Sequence, residues 1–520
     1  MSDTEKTSIK KIEHGQPPLD ADEALLQSLG YKQDLSRSIS AFSNFAIAFS
    51  CCSVLSGLTP MWGDAMSDAG SLGVIWGWVI TGSFTLIVAL SLAEICSAYP
   101  TTGGLYFWVS RLATSKWVPL ACWVTGWCNW IGLCFGITSV DLGLSQFIAG
   151  VVSVWNPDVN LSVYAQYGIY VGILIVHGVL NSVAVSWNGA MNQAAFYANM
   201  LGIAFIIVVG LAITKPLATG EFVFTQFYNG SGFSSNGFAF LLVILQSQYT
   251  LSGYDSAAHM SEETKNSQSG SPFGILVSVA ANAVSGLVFL IAISFMVTDY
   301  ERQILSENAI QPQMIQVFYD GVGGAWTMVF LVFVMLSIFF CGSALTLGSS
   351  RMVYAFARDG AMPFSKHLHS LNKKTNSPVI AVWFNILVAA IVGVLYMINS
   401  TAYEAIVSVN TIGSQMSYLV PILLRVTASR TKFKPGPFSL GRFSVVTGWI
   451  ASAWLIFTCA LFITPTTAPV TPDTMNYAVV PFAAIMIFSM GYYFIWGRKW
   501  FTGPVRMVDG KEVILDDESI

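Results

Sequence analysis

Charge is what this chain has least of. Asp, Glu, Lys and Arg make up 10% of its 520 residues, against about a quarter in a typical soluble domain. So few charges cannot cover a water-facing surface, and a soluble fold is excluded. Catalytic signatures are missing as well. There is no P-loop, no His-Glu-x-x-His and no Gly-x-Ser-x-Gly, and no deep His/Asp cluster is expected, which speaks against a membrane enzyme and against a nucleotide-driven pump. No ring of like charges and no carbonyl filter motif marks an ion channel. The eight cysteines, among them Cys51, Cys52, Cys122, Cys128, Cys134 and Cys341, lack paired loop spacing and fall in or beside apolar runs. They read as small packing residues, not as a disulfide framework or a metal site, and no cofactor is expected. The residues before Phe42 hold no apolar run, so a cleavable signal peptide is not expected and the first span must direct insertion.

Long uncharged stretches are what the chain does have: Phe42–Gly63, Ala69–Ala93, Trp117–Val140, Phe222–Tyr254, Asn266–Thr298, Gly321–Ser350, Thr375–Tyr403, Ala405–Leu424, Phe443–Pro472 and Thr474–Gly497. The longer run Val159–Thr214 must hold two spans, separated by the polar cluster Ser186, Trp187, Asn188, Gly189. Each run meets the roughly 20 apolar residues that a membrane-crossing helix needs. They are too long and too continuous for barrel strands. The expectation is an all-α integral membrane protein of twelve spans, with the lipid bilayer as its solvent and no nucleic-acid partner.

Basic residues set the topology. With an even number of spans both tails share one side, and all but Lys215 and Arg302 of the 24 Lys and Arg residues then fall on that side. The positive-inside rule makes it the cytoplasm. The three Asn-x-Ser/Thr sequons, at Asn160, Asn229 and Asn399, fall in loops of the opposite face, where glycosylation occurs. The plasma membrane is the first expectation for location, with the vacuole or another endomembrane next.

Two spans are interrupted in matching positions. In span 1 the apolar stretch from Phe45 is broken by Ser53, Ser56, Gly57, Thr59 and Pro60; in span 6, Gln246–Ser256 is broken by Ser252 and Gly253. Five spans separate the two breaks, so a second half opening at span 6 runs opposite to the first. Paired interruptions of this kind point to a transporter's midplane site. An unwound helix frees N–H and C=O groups that hydrocarbon tolerates only where they line a cavity. A half-helix N-terminus suits a carboxylate, and freed carbonyls suit an ammonium or a coupling cation, so a zwitterionic amino acid matches both. The competing reading of Gly57 and Gly253, each taken alone, is close helix packing.

Ionisable residues inside spans are costly and call for an account. Asp255 has two readings: a ligand for a substrate amine or cation, or the N-cap of the second half of span 6 beside Ser256, and its spacing from the break suits the cap. Asp141 is expected to approach the outer headgroups. Glu94 is expected to pair with Arg111 or Lys116 at the cytoplasmic edge, with a gate role as the sharper reading. His177 is a proton relay or a helix-to-helix hydrogen bonder. No Lys or Arg is expected deep in any span, so no fixed cation is expected to stand in for a coupling ion. Tyr249 and Tyr254 flank the second break and, with Trp130, could stack over a solute or hold an ammonium by cation–π attraction.

The motifs themselves are familiar. Leu29–Leu35 followed by Phe42–Ser50, the stretch Ala93–Tyr106, the stretch Ser252–Thr264 and the loop Ala357–Pro363 with Pro378 resemble the amino acid/choline branch of the amino acid–polyamine–organocation superfamily. The likeness is to its GABA permeases and bidirectional amino acid transporters in their fungal form. That resemblance implies a LeuT-type fold, with inverted repeats of about 42–214 and 236–424, two extra helices within 443–497, and tails at 1–41 and 498–520. It implies alternating access, with substrate at Ser53, Ser56, Gly57, Tyr249, Ser252, Gly253, Tyr254 and Asp255. Some superfamily members carry a lysine in span 5 in place of a sodium ion; here that span has none before Lys215, so proton symport, exchange and facilitated diffusion stay open. The solute implied is an amino acid, GABA or a related amine, with choline or thiamine as the alternative.

Overall fold

The structure, a computed structural model, describes residues 20–504 except 184, 376, 399, 400 and 473, the backbone alone of 185–188, and the backbone of 506–508 and 511–513. Asn399, the side chains of Ser186, Trp187 and Asn188, and the first nineteen residues with Lys6, Lys10 and Lys11 lie outside the described part.

Apolar runs become helices because, away from water, every backbone N–H and C=O must be satisfied within the segment. Among the described residues, ten helical segments are long and apolar enough to cross a membrane. One of them, Ala41–Ala98, would be about 87 Å long if straight, nearly three times a bilayer core. It holds spans 1 and 2, because the chain turns at Gly70, whose φ of 65° is open to glycine and strained for other residues. Span 3 is Ser115–Trp155, span 4 Val163–Val183, span 5 Gly189–Ile213, span 7 Ser267–Phe295 and span 8 Gln313–Arg358. Span 9 is Val379–Met397, span 10 Ala402–Val426, span 11 Gly441–Leu461 and span 12 Val479–Lys499. Span 6 is absent from the ten because its break divides it into Asn236–Leu242, Ile244–Thr250 and Ser256–His259. Among the described residues this makes the twelve crossings that the runs predict. Two short strands in the C-terminal tail, Arg506–Val508 and Lys511–Val513, pair antiparallel.

The described residues of the two tails meet the same segment, at Asp359 and Gly360. Tyr31, ahead of span 1, donates to Asp359 at 3.1 Å, and Trp500, beyond span 12, donates to the carbonyl of the adjacent Gly360 at 3.1 Å. Of the three sequons, Asn160 is exposed and Asn229 is half-buried, its amide donating to the Phe233 carbonyl at 2.8 Å.

The core sits between span 3 and its neighbours, spans 8 and 10, while spans 1 and 2 pack along span 7. The most apolar window of span 10 is 83% buried, that of span 12 only 11%. Span 10 thus belongs to the centre and span 12 to the lipid-facing edge.

Candidate functional site

Span 1 is two helices. The first, Ala41–Cys51, is capped by the Ser40 hydroxyl, which accepts from the Ser43 amide at 3.1 Å. Cys52 and Ser53 leave the helical region, and the second helix starts at Val54. Its early N–H groups, up to Ser56, have no helical partner. In span 6 the chain unwinds from Leu251 to Asp255, and Gly253 takes a φ of 86°. The two breaks face each other. A Cβ built on Gly253 would stand 3.3 Å from Cys51 Cβ, at the end of the first half of span 1. One on Gly57 would stand 2.7 Å from Thr250, at the end of the first half of span 6.

Between the breaks lies a cavity of about 20 Å³, which is room for one water. Ser56, Gly57, Tyr249, Ser252 and Gly253 line it, joined by residues that the sequence did not single out: Thr250, Cys341 and Leu345, with Asn410 and Ser414 of span 10. The site as it stands is contracted, since a bound amino acid needs far more space. Tyr249 closes one wall by donating to Ser139 of span 3 at 3.0 Å.

The amino acid permease family model matches residues 39–488. The chain belongs to this family. It is 40% identical to the protein named Amino-acid permease BAT1 of Arabidopsis thaliana over 95% of this chain and 98% of that one. It is 34% identical to an uncharacterized amino-acid permease of Schizosaccharomyces pombe over 96% of this chain and 93% of that one. With the GABA-specific permease of Saccharomyces cerevisiae it shares 31% identity over 93% of this chain and 86% of that one. The fold class of this permease is therefore the all-α LeuT type that the family resemblance implies.

Three of the residues expected at the substrate stand behind the cavity wall. The Ser53 hydroxyl donates to Asn199 Oδ1 at 2.6 Å and lies 2.9 Å from the Ser337 hydroxyl, which bonds the same oxygen at 2.6 Å. This cluster ties the first break to spans 5 and 8. Asn199 holds a polar position in span 5, the span in which the sequence shows no lysine. Tyr254 packs its ring against Tyr418, centroids 5.2 Å apart. Asp255 stands at the N-cap position of Ser256–His259, yet its carboxylate makes no capping bond. It accepts instead from Tyr418 Oη at 2.7 Å and Asn129 Nδ2 at 2.8 Å, and pairs with His259 Nε2 at 3.3 Å. The cap reading is thus corrected: the carboxylate has stronger donors on spans 3 and 10. Trp130 is also remote from the breaks; it donates to Asn385 at 3.0 Å and stacks on Phe384 of span 9.

The family motifs meet on the tail-bearing side. Tyr31 and Tyr106 both donate to Asp359, at 3.1 and 2.8 Å. Glu262 pairs with Arg358 at 3.3 Å and accepts from the Thr102 amide at 3.0 Å. Glu263 pairs with Arg351 at 2.9 Å. The Arg358 guanidinium lies 4.1 Å over the Tyr31 ring. Residues from all of the N-terminal, span 2, span 6 and span 8 motifs thus form one buried network beneath the cavity. Arg351 corrects the reading of span 8. The uncharged run ends at Ser350, but the helix continues to Arg358 and carries a fully buried arginine, neutralised by Glu263.

The expected Glu94–Arg111 pair is not made. Glu94 accepts from the Leu440 amide at 3.0 Å and from the Ser439 and Ser444 hydroxyls, and lies 3.9 Å from Arg425. Arg111, in the last turn of Gly104–Leu112, donates to the Leu29 carbonyl at 3.1 Å, and Lys116 lies over Trp117. The partners of Glu94 come from the end of span 10, the loop after it and the start of span 11, brought in by the fold. Arg111→Ala should leave transport within about twofold, since it loses one ordinary hydrogen bond of about 1 kcal/mol. Glu94→Ala, which strands the buried donors around it, should cost about 1–3 kcal/mol. Thermal unfolding of the two detergent-solubilised variants checks this; equal shifts would refute the assignment.

Proposed function

We propose that the permease is a secondary transporter that moves an amino acid by alternating access, with GABA the first candidate, and that the solute is held between the breaks of spans 1 and 6. The observation that carries this is the pairing of the breaks across one cavity. Ser56 and Gly57 open a half-helix there, and Ser252 and Gly253 lie on unwound backbone. Amide N–H groups for a carboxylate and carbonyls for an ammonium are thereby offered within one site. Ser53, Tyr254 and Asp255 act from behind, fixing the unwound segments. The two repeats are taken as about 42–214 and 236–424, with 443–497 as accessory helices.

The lining argues against an organic cation. It has one aromatic residue, Tyr249, and no carboxylate, because Asp255 is engaged with Tyr418, Asn129 and His259. Both tails are assigned to the cytoplasm, which makes the Glu262–Arg358 and Glu263–Arg351 network an inner closure that must open for release. The plasma membrane is the proposed location.

Uptake into proteoliposomes of radiolabelled GABA, glutamate, a basic amino acid, choline and thiamine tests the reading. Saturable uptake of GABA or an amino acid is expected. Uptake of choline or thiamine alone would overturn it and move the protein to the organic-cation side of the branch.

A further inference from the structure

Asp141 and His177 form a buried pair that the reading above does not use. The sequence places Asp141 at the end of an uncharged run, facing the headgroups; the structure corrects this. Its helix continues to Trp155, and both side chains are fully buried, with Asp141 Oδ2 3.1 Å from His177 Nδ1. Among the described residues, Asp141 Oδ1 and His177 Nε2 have no hydrogen-bond partner. A plain tie between spans 3 and 4 would need neither an ionisable acid nor an unpartnered ring nitrogen, both costly at this depth.

The pair also adjoins the cavity. Val140 and Cys341 line it, and the next residues in sequence are Asp141 and Gly342. Gly342 leaves the carboxylate its space: a Cβ there would fall 2.1 Å from Asp141 Oδ1 and 2.7 Å from His177 Cε1. The Ser139 hydroxyl, which receives the bond from Tyr249 in the cavity wall, is on the same helix as Asp141. A change in the cavity therefore reaches the pair through the helix backbone of spans 3 and 8.

Resting on the permease reading, we propose that the Asp141–His177 pair is a proton-binding site that couples solute movement to a proton gradient. A carboxylate beside a neutral imidazole carries a net charge of −1. One proton taken from water, onto either the imidazole nitrogen or the carboxylate oxygen, brings the pair to zero, and its return to water on the other side restores −1. Nothing is oxidised and no bond other than O–H or N–H changes. In this cycle the occluded carrier crosses with the proton on the pair and releases it where the site opens to water. The titratable groups facing the pair are Tyr170 on span 4, Tyr249 on span 6 and Cys341 on span 8, all neutral types at pH 7. The span 9 helix Val379–Gly393 carries no titratable residue, and Tyr403 of span 10 meets Tyr249. The proton on the pair is thus not balanced by a neighbouring charge.

The test uses the full chain in proteoliposomes at clamped zero membrane potential, with labelled GABA or whichever amino acid the uptake panel selects. The wild type should accumulate solute about tenfold per unit of inward pH gradient if one proton accompanies each zwitterion. Asp141→Asn and His177→Gln, which keep polar side chains but not the titration, should exchange labelled for unlabelled solute at equal pH within about threefold of wild type. Their accumulation ratio in the gradient should fall to about 1. Variants that accumulate solute like the wild type would overturn the proposal. So would folded variants that lose exchange and accumulation together, or failure of both to fold, since either assigns the pair a structural role. Wild-type transport with no proton entry reported by trapped pyranine would also overturn it while leaving the permease reading intact. A wild type that moves no amino acid or GABA at any pH would sink that reading and this one with it.

Discussion

Gly253→Leu should abolish transport while the protein still inserts and folds. Three physical effects act together at this one position. With φ at 86°, an L-residue in the left-handed region costs roughly 1–2 kcal/mol, which pushes the unwound segment toward a different backbone path. The first carbon of any side chain meets Cys51 Cβ at 3.3 Å, close enough that Cys51 must give, and touches Leu345 at 3.5 Å. The remaining three carbons of leucine then occupy a cavity that measures only about 20 Å³. Insertion depends on the apolar runs, none of which changes. Uptake should therefore drop below a few per cent of wild type, with a size-exclusion profile that stays monodisperse. Gly253→Ala separates the effects: it carries the backbone penalty and the Cys51 contact without filling the site, and should retain partial activity. Wild-type uptake by a monodisperse Gly253→Leu protein would refute a substrate site between the breaks.

The breaks were readable because they are local. Serine and glycine interrupting an apolar run at Ser53–Gly57 and Ser252–Gly253 signal unwound backbone without reference to any other segment. The spans were readable for a similar reason, since hydrocarbon imposes one rule on every stretch that crosses it. Span ends are less so, because the local mark of a boundary is the first charge in a run. At Asp141 and Arg351 that rule fails: both charges lie inside helices, and each is paired with a residue of another segment, His177 on span 4 and Glu263 just after span 6. Burial of a charge depends on its partner, and nothing local in the chain reveals a partner. The same holds for Glu94, whose acceptor atoms meet Ser439, Leu440 and Ser444, residues separated from it by eight spans. Asn199 had a weak signal, an amide in an otherwise apolar span, but its link to Ser53 and Ser337 needed the three-dimensional packing.

Asp255→Asn is expected to reduce transport by at least tenfold, although asparagine caps helices about as well as aspartate. Were the residue only a cap, the exchange would be nearly silent. The structure gives the carboxylate a different task. Its two oxygens accept from Tyr418 at 2.7 Å on span 10 and from Asn129 at 2.8 Å on span 3, and meet His259 Nε2 at 3.3 Å. The other ring nitrogen of His259 faces the Thr102 carbonyl at 3.1 Å, so the ring is held between that carbonyl and the Asp255 carboxylate. A carboxylate only accepts, whereas an amide must turn its NH2 toward one of these donors and supplies no charge opposite the imidazole. Removing one member of a buried pair typically costs about 3–5 kcal/mol. Here the loss falls on the segment that holds Gly253 against the cavity, through the Tyr418 hydroxyl that contacts both Asp255 and the Gly253 amide. The expected result is therefore a protein that inserts, melts at lower temperature in detergent and transports poorly. Tyr418→Phe, which deletes the shared hydroxyl alone, should lower uptake in the same direction by a smaller factor. Wild-type uptake and an unshifted melting temperature in Asp255→Asn would show that neither the charge nor the second acceptor oxygen matters, and the network would lose its place in the mechanism.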